Sequence, residues 1–230
     1  MKTKKMKPQT IMYLFVALLF FTYACNGTKQ EKEAKVAEPA TEVPNPTTGS
    51  YKIEYNTLTQ VEGMEMKGRV LQWIDLKNKR FRMEMENEMS RTSHKQVMKS
   101  LLIGNDEWTW VIDLATNTGL KFSSASYDDN PLQKIKNADE TDFEEAIKNE
   151  NGKIVGTETV LGKKCTVVSL PLSHGENLST MKAWYYHGIP LKIVAPFYTM
   201  EATSFEENVE ISEENLKVPD NITCMEMPDM

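Results

Sequence analysis

Residues 181–192, Met-Lys-Ala-Trp-Tyr-Tyr-His-Gly-Ile-Pro-Leu-Lys, carry the pattern that decides the fold. Met181, Ala183 and Tyr185 alternate with the residues between them. An alternation with period two predicts a β-strand with one buried and one wetter face. Pro190 lacks a backbone N–H, so it belongs at a strand end, a sheet edge or a bulge. The stretch therefore predicts a strand, a tight turn and the start of a second strand.

The same alternation occurs in three earlier segments, 51–55, 81–85 and 108–112. Turn-forming residues at Asn78, Gly104-Asn105, Asn117-Thr118-Gly119 and Gly162-Lys163-Lys164 divide the chain into extended runs of roughly ten residues each. Such spacing is typical of an antiparallel meander. We therefore expect a mainly β (α+β) protein with a single folded domain over residues 51–230, ending in an extended tail.

One segment, around residues 131–149, breaks the alternation. Thr141 and Glu144 have the spacing of a capping box, with Thr141 as the N-cap. The apolar residues that follow fall three and four positions apart, as on one face of a helix. Asn151-Gly152 supplies a stop. We expect one short helical excursion here in an otherwise β domain.

The N-terminus has the parts of a secretory signal. Four lysines lie in the first seven residues, thirteen uncharged residues follow at 11–23, and Ala24 precedes Cys25. The apolar run is short for a transmembrane helix, which needs about 20 residues. An ordinary cleaved signal with an incidental Cys25 and an uncleaved membrane anchor are the alternatives.

A cysteine directly after a small residue resembles the lipobox of bacterial lipoproteins. The resemblance implies that residues 1–24 are a removable signal peptide and that the Cys25 thiol carries a diacylglycerol. Residues 26–50 contain no aromatic residue, Leu or Ile, so they cannot offset the entropy of ordering. We expect 25–50 to be a lipidated, disordered tether. The protein would then be anchored in the bacterial cell envelope, at the periplasmic or surface face of the outer membrane.

Charge and motifs exclude several classes of function. The formal net charge is −6, and loss of the lysine-rich signal makes it more negative. A dedicated nucleic-acid binder needs a basic surface, so we expect no nucleic-acid partner. The three histidines form no His-Glu-x-x-His motif, and no Gly-x-Ser-x-Gly elbow occurs. We expect no enzymatic activity, no catalytic residue, no cofactor and no protein-bound metal.

Methionine is the most distinctive component, with 14 residues and Met-Glu-Met triplets at 64–66, 83–85 and 225–227. Methionine at strand period can simply fill a core. It can also line a cavity that accepts apolar ligands of variable shape, because its side chain is flexible and polarizable. A soft-metal site for Cu(I) is a third interpretation. The candidates for a shared cavity wall are Met66, Phe81, Met83, Met85, Trp108, Trp110 and Ile112.

Two cysteines remain beyond the predicted anchor. Cys165 lies in a predicted strand and Cys224 in the C-terminal tail. In an exported protein these two thiols could form a disulfide. The alternative is two unpaired thiols, with Cys165 as a small buried apolar residue.

The order of segments 154–168, 182–192 and 203–219 resembles the LolA/LolB-type lipoprotein carriers and related uncharacterised bacterial lipoprotein families. The resemblance is specific around 182–192. It implies a strongly curved antiparallel sheet, an unclosed half-barrel, with helix across its concave face. It also implies that the concave face holds a lipid, an acyl chain or another apolar molecule. The alternative is a structural or interaction lipoprotein with a filled interior, whose protein partner the sequence does not name.

Overall fold

The computed structural model describes residues 49–61, 63–91, 94–124, 140–174 and 177–227. The predicted signal, Cys25, nearly all of the predicted tether and the first part of the predicted helical segment lie outside these ranges. Among the described residues, no helix is long and apolar enough to cross a bilayer.

The described residues form a twelve-stranded sheet, one α-helix and a short 3-10 turn. In the first half, the strands are β1 Ser50–Val61, β2 Met64–Asp75, β3 Arg80–Arg91, β4 His94–Gly104, β5 Trp108–Asp113 and β6 Thr118–Ser123. Helix α1 spans Glu140–Asn149. The second half contains β7 Lys153–Val160, β8 Lys163–His174, β9 Asn177–Tyr186, β10 Ile189–Ala195, β11 Tyr198–Glu207, the 3-10 turn Glu213–Leu216 and β12 Thr223–Glu226.

The sheet is open and strongly curved. Its order is β12-β6-β5-β4-β3-β2-β1-β11-β10-β9-β8-β7, so two antiparallel meanders join where β1 pairs with β11, and β12 adds in parallel to β6. Lys163 at the start of β8 forms an ion pair with Glu207 at the end of β11, three strands away in this order. The mainly β, unclosed half-barrel that the sequence predicts is confirmed.

The turn within 181–192 explains why this stretch folds as it does. His187 and Gly188 both have positive φ, 47° and 76°, and they form a two-residue loop between the paired residues Tyr186 and Ile189. Two central residues with positive φ define the hairpin turn whose twist matches that of the strands. The register shifts between Pro190 and Lys192, which places Pro190 at a bulge, as its missing N–H requires.

Helix α1 begins at Glu140, so Thr141 lies inside the first turn and the prediction of Thr141 as N-cap is wrong. The predicted stop is confirmed. Asn151 adopts φ 56°, and the Gly152 N–H donates to the Ile147 carbonyl over 2.8 Å, which is the Schellman closure of a helix.

The helix lies on the opposite side of the sheet from the main core. Phe143 and Ile147 of α1 contact Val168 and Leu170 of β8. These β8 residues alternate with Val167, which belongs to the main core cluster. The expectation of a helix across the concave face is therefore wrong for residues 140–149, because the apolar side chains on both faces of β8 provide two separate packing surfaces.

Candidate ligand-binding surface

Side-chain alternation in β1–β5 defines two faces of the sheet. We call the inner face the surface formed by odd-numbered residues of β1, β3 and β5 and by even-numbered residues of β2 and β4. The pairing is regular across β1 to β5, for example Tyr55 with Val70, Val70 with Met85 and Met85 with Ser100. Residues directly opposite each other share a face, so the inner face is continuous across these strands.

The inner face is the concave side of the sheet. Its buried residues Ile53, Ile74 and Phe81 belong to one core cluster together with Val167 and Leu191 from the other half of the sheet. In a curved sheet, side chains converge on the concave side and diverge on the convex side, so the large buried cluster that spans both meanders marks this face as the concave one. The inner face therefore lines the interior of the half-barrel.

Four of the predicted cavity residues meet on this face. Phe81 is fully buried and Met83 is 5% exposed, whereas Met66 and Met85 are half-buried. Met85 packs against the main core cluster from its edge. Of the seven cavity-wall candidates, the register thus places Met66, Phe81, Met83 and Met85 on one surface.

The other three predicted residues, Trp108, Trp110 and Ile112, lie on the outer face. Trp110 is opposite Ile103, and Ile103 is opposite Arg82, which alternates with Phe81 and Met83. The seven candidates therefore do not share one concavity, and that grouping is wrong.

The turn between β4 and β5 sets this register. The Asn105 side-chain oxygen accepts hydrogen bonds from the backbone N–H groups of Glu107 and Trp108, and Gly104 then pairs with Thr109. Thr109 and Val111 consequently point inward. The outward-facing Trp110 and Ile112 instead pack beneath the C-terminal segment, in a cluster that also contains Leu101, Ile103, Val218 and Ile222.

Three further methionines that the sequence reasoning missed lie on the same inner surface. Met89 is opposite Met66, Met98 is opposite Asn87, and Met200 of β11 is opposite Thr57. Met89 could have been identified from the sequence, because it lies an even number of residues after Met83 and Met85 in the same strand. The other two depend on pairing between strands, which the local pattern does not show.

Uncharged polar groups interrupt the apolar surface. Thr59, Gln72 and Asn87 are 6%, 7% and 8% exposed, and all three lie on the inner face. Thr57, Gly68 and Asn87 form one row across β1, β2 and β3. A Cβ at Gly68 would lie 2.2 Å from Asn87 Oδ1 and 2.3 Å from Thr57 Oγ1, so glycine allows these two polar side chains to converge above it.

Tyrosine hydroxyls add to this polar component without adding charge. Burial raises the pKa of Tyr55 well above its ordinary value, and the neighbouring Tyr198 raises it further. Burial also raises the pKa of Tyr198. At the edge of the cluster, burial and then Glu207 raise the pKa of Tyr51 to about 12. These hydroxyls stay protonated at neutral pH.

The outer face has the opposite character. It carries ion pairs between neighbouring strands, such as Arg69 with Glu54 at 2.8 Å and Lys95 with Glu88 at 2.7 Å. Outside the apolar cluster beneath the C-terminal segment, the outer surface of these strands is therefore charged, whereas the inner surface consists of methionine, aliphatic, aromatic, amide and hydroxyl groups.

The two remaining cysteines do not form a disulfide. Cys165 is a buried free thiol in β8, and Cys224 is a half-buried free thiol in β12, at the other end of the sheet order. Burial raises the pKa of the Cys165 thiol. The disulfide between Cys165 and Cys224, which the sequence left possible, is therefore not formed, and Cys165 behaves as a small apolar core residue.

A separate polar cleft of about 300 Å³ lies on the outer face of the sheet, beside the turn of the β2–β3 hairpin. Arg80 donates to Asp75 over 3.1 Å and to Glu213 over 2.5 Å, which fastens the C-terminal segment to the sheet. Burial opposes ionisation of Asp75, but hydrogen bonds from Asn78 and Arg80 outweigh it and lower the pKa of that carboxyl.

Within the described residues, no group of three or more His, Cys, Asp or Glu side chains could hold a metal ion.

No known protein family matches the sequence, and no curated protein matches it. An uncharacterised conserved protein from Thermus thermophilus superimposes with a TM-score of 0.46 at 11% identity, covering 79% of this chain and 91% of that one. LprF from Mycobacterium bovis gives 0.39 at 8% identity, with 77% and 92% coverage.

The lipoprotein LppX from Mycobacterium tuberculosis gives a TM-score of 0.31 at 7% identity, with 71% and 88% coverage. Similarity at this level carries no argument about function. The more specific resemblance to LolA and LolB stays a prediction.

Proposed function

We propose that this protein is a lipid-anchored component of the bacterial cell envelope that binds a lipid-like or other apolar molecule on the inner face of its half-barrel. One observation carries the proposal. The inner face carries methionine on the three neighbouring strands β2, β3 and β4, while the outer face of the same strands carries rows of charged side chains in ion pairs. Anchoring through Cys25 is part of the proposal, and catalysis is not.

The inner face has two ends with different properties. At the first end, Ile53, Ile74 and Phe81 are fully buried and supply a rigid floor. At the second end, Met66 and Met85 are only half-buried. Flexible thioether side chains adapt to apolar ligands of variable shape. The half-buried methionine end is therefore the place where an apolar chain would contact the sheet.

An interaction protein with a filled interior is the second candidate function. The full burial of Ile53, Ile74 and Phe81 favours it, because close-packed side chains leave no space for a ligand. The same sheet would then serve as a scaffold, and its outer surface would bind a partner protein.

A thioether site for Cu(I) involving Met66 and Met89 is the third and weakest candidate.

Substitution of Met85 by Trp separates the first two candidates. If the methionine end is open, Met85→Trp should leave stability nearly unchanged and should block binding of the neutral probe N-phenyl-1-naphthylamine. In a filled interior the larger side chain should cost about 1–3 kcal/mol through overpacking. Val97→Trp is the matched control, because Val97 is 48% exposed and lies on the outer face of β4.

The proposal expects saturable probe fluorescence with wild type and Val97→Trp, and at least a tenfold weaker response with Met85→Trp. Absence of saturable binding by wild type, together with clear destabilisation of Met85→Trp, would contradict ligand binding. That outcome would leave the interaction protein as the better account.

A further inference from the structure

We infer that the ligand of the inner face is an uncharged amphiphile, an apolar chain joined to a neutral hydroxyl, ester or amide head group. This inference rests on the proposed function and goes beyond it by naming the class of molecule. It excludes fatty-acid anions, phospholipids and cationic amphiphiles as the preferred occupants.

The first argument is the absence of charge where the ligand would lie. The inner-face residues around the row of Thr57, Gly68 and Asn87 are all uncharged: Tyr55, Thr59, Met66, Val70, Met85, Met89, Met98 and Met200. The inner face carries a carboxylate away from this row, at Asp113 of β5 opposite Ser100, and that carboxylate accepts a hydrogen bond from the Ala115 N–H. An ionised head group moved from water to this row would have no counter-charge. Burial of an unpaired charge costs several kcal/mol, so a charged ligand would bind far more weakly than a neutral one with the same chain.

The second argument is the kind of polar group that this surface does offer. Asn87 provides an amide with two donors and an acceptor, and Thr57 provides a hydroxyl. These groups match the hydrogen-bonding needs of a hydroxyl, an ester or an amide without compensating a full charge. Gly68 keeps the space in which Thr57 and Asn87 converge.

The third argument is the arrangement of polar and apolar parts. Thr57 lies four residues after Ile53 on β1, which separates them by about 13 Å along the strand. The polar row of Thr57, Gly68 and Asn87 is flanked by Met98 on one side and Met200 on the other. A neutral head group at this row would leave its chain in contact with methionine and aliphatic side chains.

Three ligands with one common chain test this inference. 1-Oleoylglycerol, oleate and oleylamine, each below its aggregation concentration, would compete with N-phenyl-1-naphthylamine for the full mature protein at pH 7.5. We expect 1-oleoylglycerol to displace the probe at concentrations at least tenfold lower than either ion. Equal or stronger displacement by oleate or oleylamine would overturn the inference, as would binding of the probe without displacement by any of the three.

Failure of the proposed function looks different, because the probe itself would then not bind. Variants of the polar row supply a second readout. Asn87→Leu should remove the preference for 1-oleoylglycerol, and Asn87→Asp should create a preference for oleylamine. Glu86→Gln, one position away on the outer face, should change neither. If the Asn87 variants do not fold, Thr57→Val should reduce the preference, and an unchanged preference in that variant would overturn the role of the row.

Discussion

A single methyl group at Gly104 tests whether the closed end of the inner face is as tightly packed as the structure indicates. Gly104 lies opposite Phe81 on β3 and opposite Thr109 on β5. A Cβ at this position would lie 2.3 Å from Phe81 Cε1 and 3.1 Å from Thr109 Oγ1. Gly104→Ala therefore requires the aromatic ring to move.

Both neighbours of the added methyl group lie in the core. Phe81 and Thr109 are both fully buried, and Thr109 Oγ1 forms a 2.9 Å hydrogen bond with Ser124 Oγ. Forced overpacking of a core costs about 1–3 kcal/mol. Alanine is favoured over glycine in a strand by roughly 0.5–1 kcal/mol, which offsets part of this cost. We expect Gly104→Ala to destabilise the protein by about 1–2 kcal/mol.

Urea unfolding followed by tryptophan fluorescence measures this loss. The double variant Gly104→Ala/Phe81→Leu is the control, because a smaller side chain at 81 should relieve the clash. The two substitutions together should then cost less than the sum of the single ones. An unchanged or raised stability of Gly104→Ala would show that the Phe81 ring can swing into free space, and the distinction between a closed and an open end would be wrong.

Three further results are expected. Trp184 is 8% exposed and its indole N–H donates to Glu158 over 2.8 Å, so Trp184→Ala should cost ~3–5 kcal/mol in thermal or urea unfolding, and an unchanged midpoint would show a peripheral residue. The lowered pKa of Asp75 means that its contribution to stability is present above about pH 4 and is lost as acid protonates it. The unfolding midpoint should therefore fall less steeply below about pH 4 in Asp75→Asn than in wild type. An equal pH dependence of the two midpoints would contradict a stabilising ion pair between Asp75 and Arg80. Cys25→Ala should abolish incorporation of a fatty-acid probe in growing cells, and equal labelling would refute the lipid anchor.

Local pattern was sufficient for the strands and for several turns. The alternation in 181–192 indicated the strand correctly, but the expected wetter face is packed as well, because Trp184 lies in the main core and Tyr185 packs against helix α1. Pro190 could be assigned to a strand end or a bulge because its missing N–H excludes a regular central position. The end of α1 at Asn151-Gly152 could likewise be predicted from neighbouring residues alone.

The face on which a strand's residues lie is not a local property. The aromatic residues of β5 were expected to point inward, but the four-residue turn after Gly104 sets the opposite parity. A shift of one residue moves every side chain of a strand to the other face. The outward position of Trp110 and Ile112 became explicable only from the distant C-terminal Val218 and Ile222, which cover them.

The central claim is that the methionine-rich inner face holds an apolar ligand, and the most direct measurement is native mass spectrometry of the protein isolated from the envelope of its own cells. The account predicts a species heavier than the lipidated chain by the mass of one dissociable, uncharged lipid-like molecule. That adduct should be absent from Met85→Trp and present in Val97→Trp. Isolation of wild-type protein at the mass of the chain alone, without any adduct and without binding of the neutral probe, would contradict the account.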